Sequence, residues 1–261
     1  MRINKYFSMR VRFSPHYEEL CFLKKQYSIA PEISLNDLNR RKEVEFMTIN
    51  KYWIEKLATL GALWQHDGNK KRPYALLTSG LISDGFINCS KLIERPSALE
   101  GVVDSLLRRA PDLPTNNVVV VGSAMGGITF AHEVARQLGI QFRMWWTEKH
   151  DGLMHLADRF EVTGDEIVLL VEDVMTTGDT TRKTRHAMTQ MGVKKFVEFT
   201  LVIANRSGHD VFEGNPLVSL VDLNFNVWEK GRNPYLDDGK EYVEPVRPKG
   251  NWDILTQSYE S

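Results

Sequence analysis

The chain has 261 residues, of which 42% are hydrophobic and 26% are charged, and its formal net charge is −1 at pH 7. This length can bury a full α/β core, and the near-zero charge argues against a broad nucleic-acid surface. No apolar run approaches the length of a membrane span, and two cysteines are too few for a disulfide framework. We therefore expect a soluble, cytoplasmic protein that binds neither nucleic acid nor membrane.

The first 46 residues differ from the rest of the chain, because their charged and aromatic side chains follow no sustained period. We interpret residues 1–46 as an N-terminal extension or arm. The sequence leaves open whether this arm is an accessory segment or an upstream reading of a start codon at Met47. From Met47, apolar residues at helical spacing predict a helix that ends near Gly61.

The rest of the chain alternates between strand and helix patterns. Two strands are predicted at residues 74–80 and 85–90, around a turn at residues 83–85. Further strands are predicted at 118–122, 141–146, 167–171, 196–204 and 216–223, and helices at 97–109, at 128–138 and after Thr181, where the helix ends at Gly192. This alternation predicts an α/β protein with a mostly parallel, doubly wound sheet. Residues 147–152 are predicted to form a charged loop.

The segment from residue 167 to residue 181 is the most informative. Five apolar residues lead into Glu172 and Asp173, and a loop rich in threonine and glycine follows at residues 176–180. Open α/β sheets bind ligands at the carboxyl ends of their strands, and amides at a helix N-terminus suit a phosphate. The two carboxylates suit a ribose diol or a metal ion carried on a polyphosphate.

Residues 168–180 resemble the phosphoribosyl-pyrophosphate (PRPP) signature of the type I phosphoribosyltransferases. An ordinary strand–turn–helix would explain acidic residues at a strand end, but it gives no reason for the loop that follows them. The resemblance implies the type I fold, with a small N-terminal hood over the sheet. It also implies that PRPP is bound by Glu172, Asp173, Val174, Met175, Thr176, Thr177, Gly178, Asp179 and Thr180.

Two other segments add to the resemblance, the first to the type I family as a whole and the second to its orotate phosphoribosyltransferases. The glycine-rich loop after the strand at 118–122 resembles the loop that holds pyrophosphate, which implies roles for Met125 and Gly126. Residues 78–88 resemble the N-terminal motif that lines the base pocket, which implies that Phe86 and Asn88 face the base. Thr78 stands where the family commonly carries a lysine.

Two basic positions complete the resemblance. Lys149 and Arg159 correspond to basic residues of the family's mobile loop, which stabilise the leaving pyrophosphate. The roles of His150 and His155 in this segment stay open. Arg206 follows a strand that the family ends in Asp-Arg, and that arginine contacts the carboxylate of the base, a planar group that a guanidinium can bind with two hydrogen bonds.

The resemblance implies an orotate phosphoribosyltransferase, which transfers ribose 5-phosphate from PRPP to orotate. The products are orotidine 5′-monophosphate and pyrophosphate, in the de novo synthesis of UMP. Lys149, Glu172 and Asp173 would be the catalytic residues, and Mg²⁺ would be held mainly through PRPP. The resemblance also implies a homodimer, with a phosphoribosyltransferase domain at 47–230, its hood near 52–95, and an irregular tail at 231–261.

Two other functions remain open. The chain could be a type I phosphoribosyltransferase for another base, in purine or pyrimidine salvage, or a regulator that senses PRPP without turnover. Arg206 argues against a neutral base, which needs no partner for a carboxylate. The near-neutral charge argues against a regulator with a basic nucleic-acid face.

Overall fold

The computed structural model describes residues 49–229 and 243–259, so the arm predicted at residues 1–46 lies outside the described part. Within these ranges the helices are α1 (residues 49–59), α2 (Ser90–Ile93), α3 (Pro96–Leu107), α4 (Gly126–Leu138), α5 (Asp179–Gln190) and α6 (Trp252–Thr256). The strands are β1 (Leu63–Gln65), β2 (Ala75–Leu76), β3 (Ile82–Ser83), β4 (Gly85–Ile87), β5 (Val118–Ser123), β6 (Arg143–His150), β7 (Leu153–Leu156), β8 (Ile167–Met175), β9 (Lys195–Asn205), β10 (Val211–Phe212), β11 (Asn215–Asp222) and β12 (Val227–Trp228).

The main sheet of the described residues has seven strands in the order β10-β11-β9-β8-β5-β6-β7. The five central strands are parallel, and the edge strands β10 and β7 are antiparallel to their neighbours. The chain passes from β5 to β6 on one side and then crosses to β8 on the other. The crevice between β5 and β8 is therefore the topological switch point, where sheets of this kind bind ligands.

Helices cover both faces of this sheet. Val118 and Val120 point into the larger core with α1, α3 and α4, whereas Val119 and Val121 point to the α5 side. All four valines are at most 1% exposed. Burial on both faces is why β5 is an unbroken apolar run rather than an alternating one. The predicted α/β fold with a mostly parallel, doubly wound sheet is confirmed. In the described ranges no helix has the length and apolar character to cross a membrane.

The predicted pairing of the two N-terminal strands is wrong. Residues 82–87 form one extended segment that bends at Asp84, and its two halves pair with different partners. β3 pairs with β2 and β12, whereas β4 pairs with β1 and sets Phe86 opposite Trp64. A short strand pattern indicates extension but does not indicate which distant strand supplies its hydrogen bonds.

The predicted loop at residues 147–152 is instead a β-hairpin. β6 continues to His150 and pairs with β7 through a two-residue turn at Asp151 and Gly152. Both turn residues have positive φ, at 49° and 81°, as tight hairpin turns with Asp-Gly require.

The tail predicted to be irregular is ordered in its described part, residues 243–259. Val246 forms a parallel bridge with Ala75 of β2, and α6 follows. Leu255 of α6 is fully buried in a cluster with Trp64 and Ala75, beside the partly buried Phe86. The tail therefore supplies apolar side chains to the small core around Trp64 and Ala75.

Candidate active site

The switch-point crevice opens because β8 extends beyond the point where β5 stops pairing with it. The two strands pair as far as Gly122 and Val171, after which β5 turns away toward α4. β8 continues to Met175, and over these last residues it pairs with β9 but no longer with β5. Glu172 and Asp173 therefore lie in the free edge of β8 rather than after its end, facing the glycine-rich loop.

Glu172 is the more buried of the two acids, at 7% exposed. Its carboxylate accepts hydrogen bonds from Ser123 Oγ, at 2.9 and 3.0 Å, and from Thr181 Oγ1, at 3.0 Å. Burial and, after it, the neighbouring charge of Asp173 raise the pKa of Glu172 to about 8, although the hydrogen bonds from the two hydroxyls oppose this shift. A carboxyl in this setting can hold or release its proton according to the charge that enters the crevice.

Asp173 is half-buried and packs directly on the glycine-rich loop. Its Oδ1 accepts the backbone N–H of Val174 at 2.9 Å. A Cβ atom at Gly126 would lie 2.0 Å from Asp173 Oδ2, and one at Gly122 would lie 2.0 Å from the carbonyl oxygen of Gly127. Only glycine fits at these two positions, which brings the loop backbone close to the acidic pair. Met125, at the tip of the loop, is 81% exposed.

The predicted phosphate loop leads into α5. Gly178 caps the helix with φ of +72°, and a Cβ atom there would lie 2.2 Å from the ring of Phe212. The side chains of Thr176, Thr177, Asp179 and Thr180 are exposed. The loop thus presents backbone groups at a helix N-terminus, a favourable place for an anion.

Lys149 lies beside this loop. Its charge contributes to lowering the pKa of Asp179, after the larger effect of the hydrogen bond from Lys183. Thr147, two residues earlier on the same face of β6, shares a 2.9 Å hydrogen bond with Thr184 of α5. Residues two apart in a strand point the same way, so Lys149 faces the α5 side of the crevice.

Arg159 and the two histidines lie on the other face of the β6–β7 hairpin. The guanidinium of Arg159 stacks 5.2 Å from the ring of Trp146. The pKa of Glu148 is lowered mainly by the hydrogen bond from Trp146, and the charge of Arg159 makes a smaller contribution in the same direction. His150 Nε2 is 3.6 Å from a Glu148 oxygen, and the rings of His150 and His155 are 6.0 Å apart. The structure therefore does not bring these residues together with Lys149.

Arg206 follows β9 at the same edge of the sheet. Its backbone N–H donates to the carbonyl oxygen of Met175 at 2.7 Å, which ties it to the end of β8. Its guanidinium stacks 4.8 Å from the ring of Phe225, and its buried Nε has no hydrogen-bond partner among the described residues. Burial lowers the pKa of Arg206, and the charge of Asp84 opposes that effect.

Asn205 holds the loop that carries Arg206. Its amide nitrogen donates to the carbonyl of His209 at 2.7 Å and to Asp222 Oδ1 at 2.8 Å. Its amide oxygen accepts the backbone N–H and the hydroxyl of Ser207. Asparagine can both donate and accept here, which an aspartate in its place could not do.

Phe86 and Asn88, the two residues predicted to face the base, make other contacts than Arg206 does. Phe86 packs edge-on against Trp252, 6.1 Å between ring centroids, beside the small core of Trp64, Ala75 and Leu255. Asn88 is half-buried, and its backbone N–H donates to Ala62 at 2.7 Å. The aromatic ring that contacts Arg206 is Phe225, which packs so closely on Gly85 that a Cβ there would lie 2.2 Å away.

Sequence reasoning missed four residues of the site: Ser123, Thr181, Phe212 and Phe225. The two hydroxyl residues directly adjoin the recognised loops, so their position was a usable signal. The two phenylalanines reach the site only through tertiary packing. Among the described residues, no group of three or more His, Cys, Asp or Glu side chains could hold a metal ion.

Comparison with known proteins identifies the family to which the chain belongs. The family model described as "Phosphoribosyl transferase domain" matches residues 93–231. The orotate phosphoribosyltransferase of Caldanaerobacter subterraneus subsp. tengcongensis is 34% identical over 170 residues, which are 65% of this chain and 86% of the relative. That of Acidithiobacillus ferrooxidans is 32% identical over 70% of this chain and 93% of the relative. The crystal structure of orotate phosphoribosyltransferase from Aeropyrum pernix superposes with a TM-score of 0.50 and 25% identity, over 65% of this chain and 93% of that one.

Proposed function

Because the chain belongs to the phosphoribosyltransferase family, and within it to the orotate phosphoribosyltransferases, we propose that it makes orotidine 5′-monophosphate and pyrophosphate from orotate and PRPP. This reaction is a step of UMP biosynthesis. The observation that carries the choice of base is Arg206, a half-buried guanidinium beside the carboxyl end of β8 whose Nε has no hydrogen-bond partner within residues 49–229 and 243–259. A buried donor without a partner is costly, and the carboxylate of orotate would supply one.

PRPP would lie across the switch-point crevice. The backbone amides of residues 176–180 and the N-terminus of α5 would hold the 5′-phosphate. Asp173 and Glu172 would accept hydrogen bonds from the ribose hydroxyls. The backbone of residues 124–127 and the ammonium of Lys149 would hold the pyrophosphate.

Catalysis would depend on the placement of charge rather than on a covalent nucleophile. Displacement at C1 of the ribose passes through a state with positive charge on the sugar, which the carboxylates of the crevice would stabilise. Lys149 would offset the negative charge that builds on the departing pyrophosphate. Ionised orotate can attack through its ring nitrogen, so the chain need not supply a general base.

The donor set of the crevice fits a Mg²⁺ ion carried in by PRPP. Glu172 is already hydrogen-bonded by Ser123 and Thr181, and the described residues hold no cluster that could form a cage. The ion would therefore be held mainly through PRPP, and it would supply positive charge that offsets the charge on the leaving group.

An assay of orotate consumption with PRPP and magnesium tests the proposed function. Adenine, hypoxanthine, uracil and nicotinate would be run in parallel, because nicotinate has a carboxylate and the other three bases do not. Turnover of orotate alone is the expected result. Turnover of a neutral base in its place would refute the role of Arg206, and PRPP binding without turnover of any base would indicate a regulator.

We also propose that the enzyme works in the cytoplasm as a homodimer, as its resemblance to the family implies. Light scattering coupled to size-exclusion chromatography would measure the mass in solution. A monomer with full activity would contradict the dimer.

A further inference from the structure

Two hydroxyl groups from different elements converge on the buried carboxylate of Glu172. Ser123 is the last residue of β5, and Thr181 lies in the first turn of α5. The two residues are only 3% and 2% exposed, and their hydroxyls lie 2.9 to 3.0 Å from the carboxylate oxygens.

These contacts join the two loops that would hold the ends of PRPP. Ser123 directly precedes the glycine-rich loop at 124–127, and Thr181 directly follows the phosphate loop at 176–180. The carboxylate of Glu172 therefore connects both loops to the free edge of β8. A shift of either loop would change the orientation of that carboxylate, because it would lengthen one of the hydrogen bonds.

Hydroxyl groups are well suited to hold this carboxyl. A serine or threonine hydroxyl can donate to an ionised carboxylate and can accept from a protonated carboxylic acid. Neither contact must break when the proton is gained or lost. A lysine or arginine in these positions would hold only the ionised form, and an apolar residue would leave a buried acid without a partner.

We propose that Ser123 and Thr181 are positioning residues, which act through Glu172 to hold it ready for the ribose hydroxyls of PRPP and to keep the two loops in register. This inference rests on the proposed function, since it assigns these residues to the PRPP side of that reaction. Neither residue would touch the orotate.

The threonine permits a matched test. Thr181→Val keeps the shape of the side chain but removes the hydroxyl, whereas Thr181→Ser keeps the hydroxyl but removes a methyl group. We expect Thr181→Val to lower kcat/KM for PRPP by roughly tenfold to hundredfold, the effect of one hydrogen bond to a charged group. Thr181→Ser should recover most of that loss, and KM for orotate should change by less than about threefold in both variants. Ser123→Ala should resemble Thr181→Val.

A double-mutant cycle with Glu172→Gln separates positioning from a general packing effect. If Thr181 acts through Glu172, Thr181→Val should have little further effect on kcat/KM for PRPP in the Glu172→Gln background. An equal loss in both backgrounds would overturn the proposal, and so would a Thr181→Ser variant as impaired as Thr181→Val. Unchanged PRPP kinetics in Thr181→Val would also overturn it.

The same cycle measured by urea unfolding does not depend on activity. Coupling between Thr181 and Glu172 in the free energy of unfolding would verify the contact even in a chain that turns over no base. A wild-type protein that consumes no orotate would thus refute the proposed function, whereas the absence of coupling would refute this inference.

Discussion

Replacing Arg206 by lysine would test how the base is recognised. Lysine keeps the positive charge but loses the planar fork, which can donate two parallel hydrogen bonds to a carboxylate. The structure holds the guanidinium of Arg206 in a fixed orientation, because the group is stacked 4.8 Å from the Phe225 ring and Asn205 fixes the loop that carries it. An ammonium in this half-buried setting would also lose part of its hydration.

The expected loss follows from the hydrogen bond that lysine cannot make. A hydrogen bond to a charged group contributes about 1.5 to 3 kcal/mol. This energy corresponds to a loss of roughly tenfold to hundredfold in kcat/KM for orotate. KM for PRPP should stay close to its wild-type value, because the phosphate loop and the acidic pair are unchanged.

Steady-state kinetics with each substrate varied in turn would measure both effects. Arg143→Lys is a matched control, because Arg143 also stacks on an aromatic ring, 5.4 Å from Trp145, but lies at the amino end of β6, away from the crevice. Its kinetics should match the wild type. An unchanged KM for orotate in Arg206→Lys, with weaker PRPP binding instead, would place this arginine on the phosphate side and refute the reasoning.

Three further predictions concern the phosphate loop, the buried acid and the arm. Gly178→Ala should weaken PRPP binding in calorimetry by at least about tenfold, since a positive φ and the Phe212 ring both oppose a side chain, whereas Gly192→Ala, with φ of +103° but open space, should bind normally. Because burial raises the pKa of Glu172 from 4.5 to about 8, the folded chain holds more protons than the unfolded chain between these values, and its free energy of unfolding should fall as pH rises through them. Urea titrations of Glu172→Gln should lack this fall, so the difference in free energy of unfolding between the variant and the wild type should change by at most about 5 kcal/mol, in favour of the variant, across that pH range. Parallel plots of the two free energies against pH would contradict the raised pKa. Finally, a chain that starts at Met47 should keep its activity and melting temperature, and insolubility of that chain would show that the arm packs on the domain.

Much of the site could be predicted from the sequence because it is built from local patterns. A run of apolar residues, an acidic pair and a threonine-glycine loop occupy residues 167–180 without interruption. Two of these parts have a physical reason that the local sequence signals, namely burial of the apolar run on both faces and the positive φ of Gly178 at a helix N-terminus. Arg206 is predicted from the family resemblance, because it follows a strand that the family ends in Asp-Arg.

Tertiary structure alone decided which distant side chains meet these segments. Phe86 packs edge-on against Trp252, because β4 pairs with β1 and the tail supplies α6. Phe225 reaches Arg206 across the space above Gly85, and no spacing within residues 223–228 indicates that contact. The fold likewise brings the hydroxyls of Ser123 and Thr181 to the carboxylate of Glu172, although 58 positions separate the two residues in the chain (181 − 123). The residues at a strand end determine what that end can bind. The pairing of distant strands determines which side chains surround the strand end, because this pairing minimises the exposed apolar surface of the whole chain.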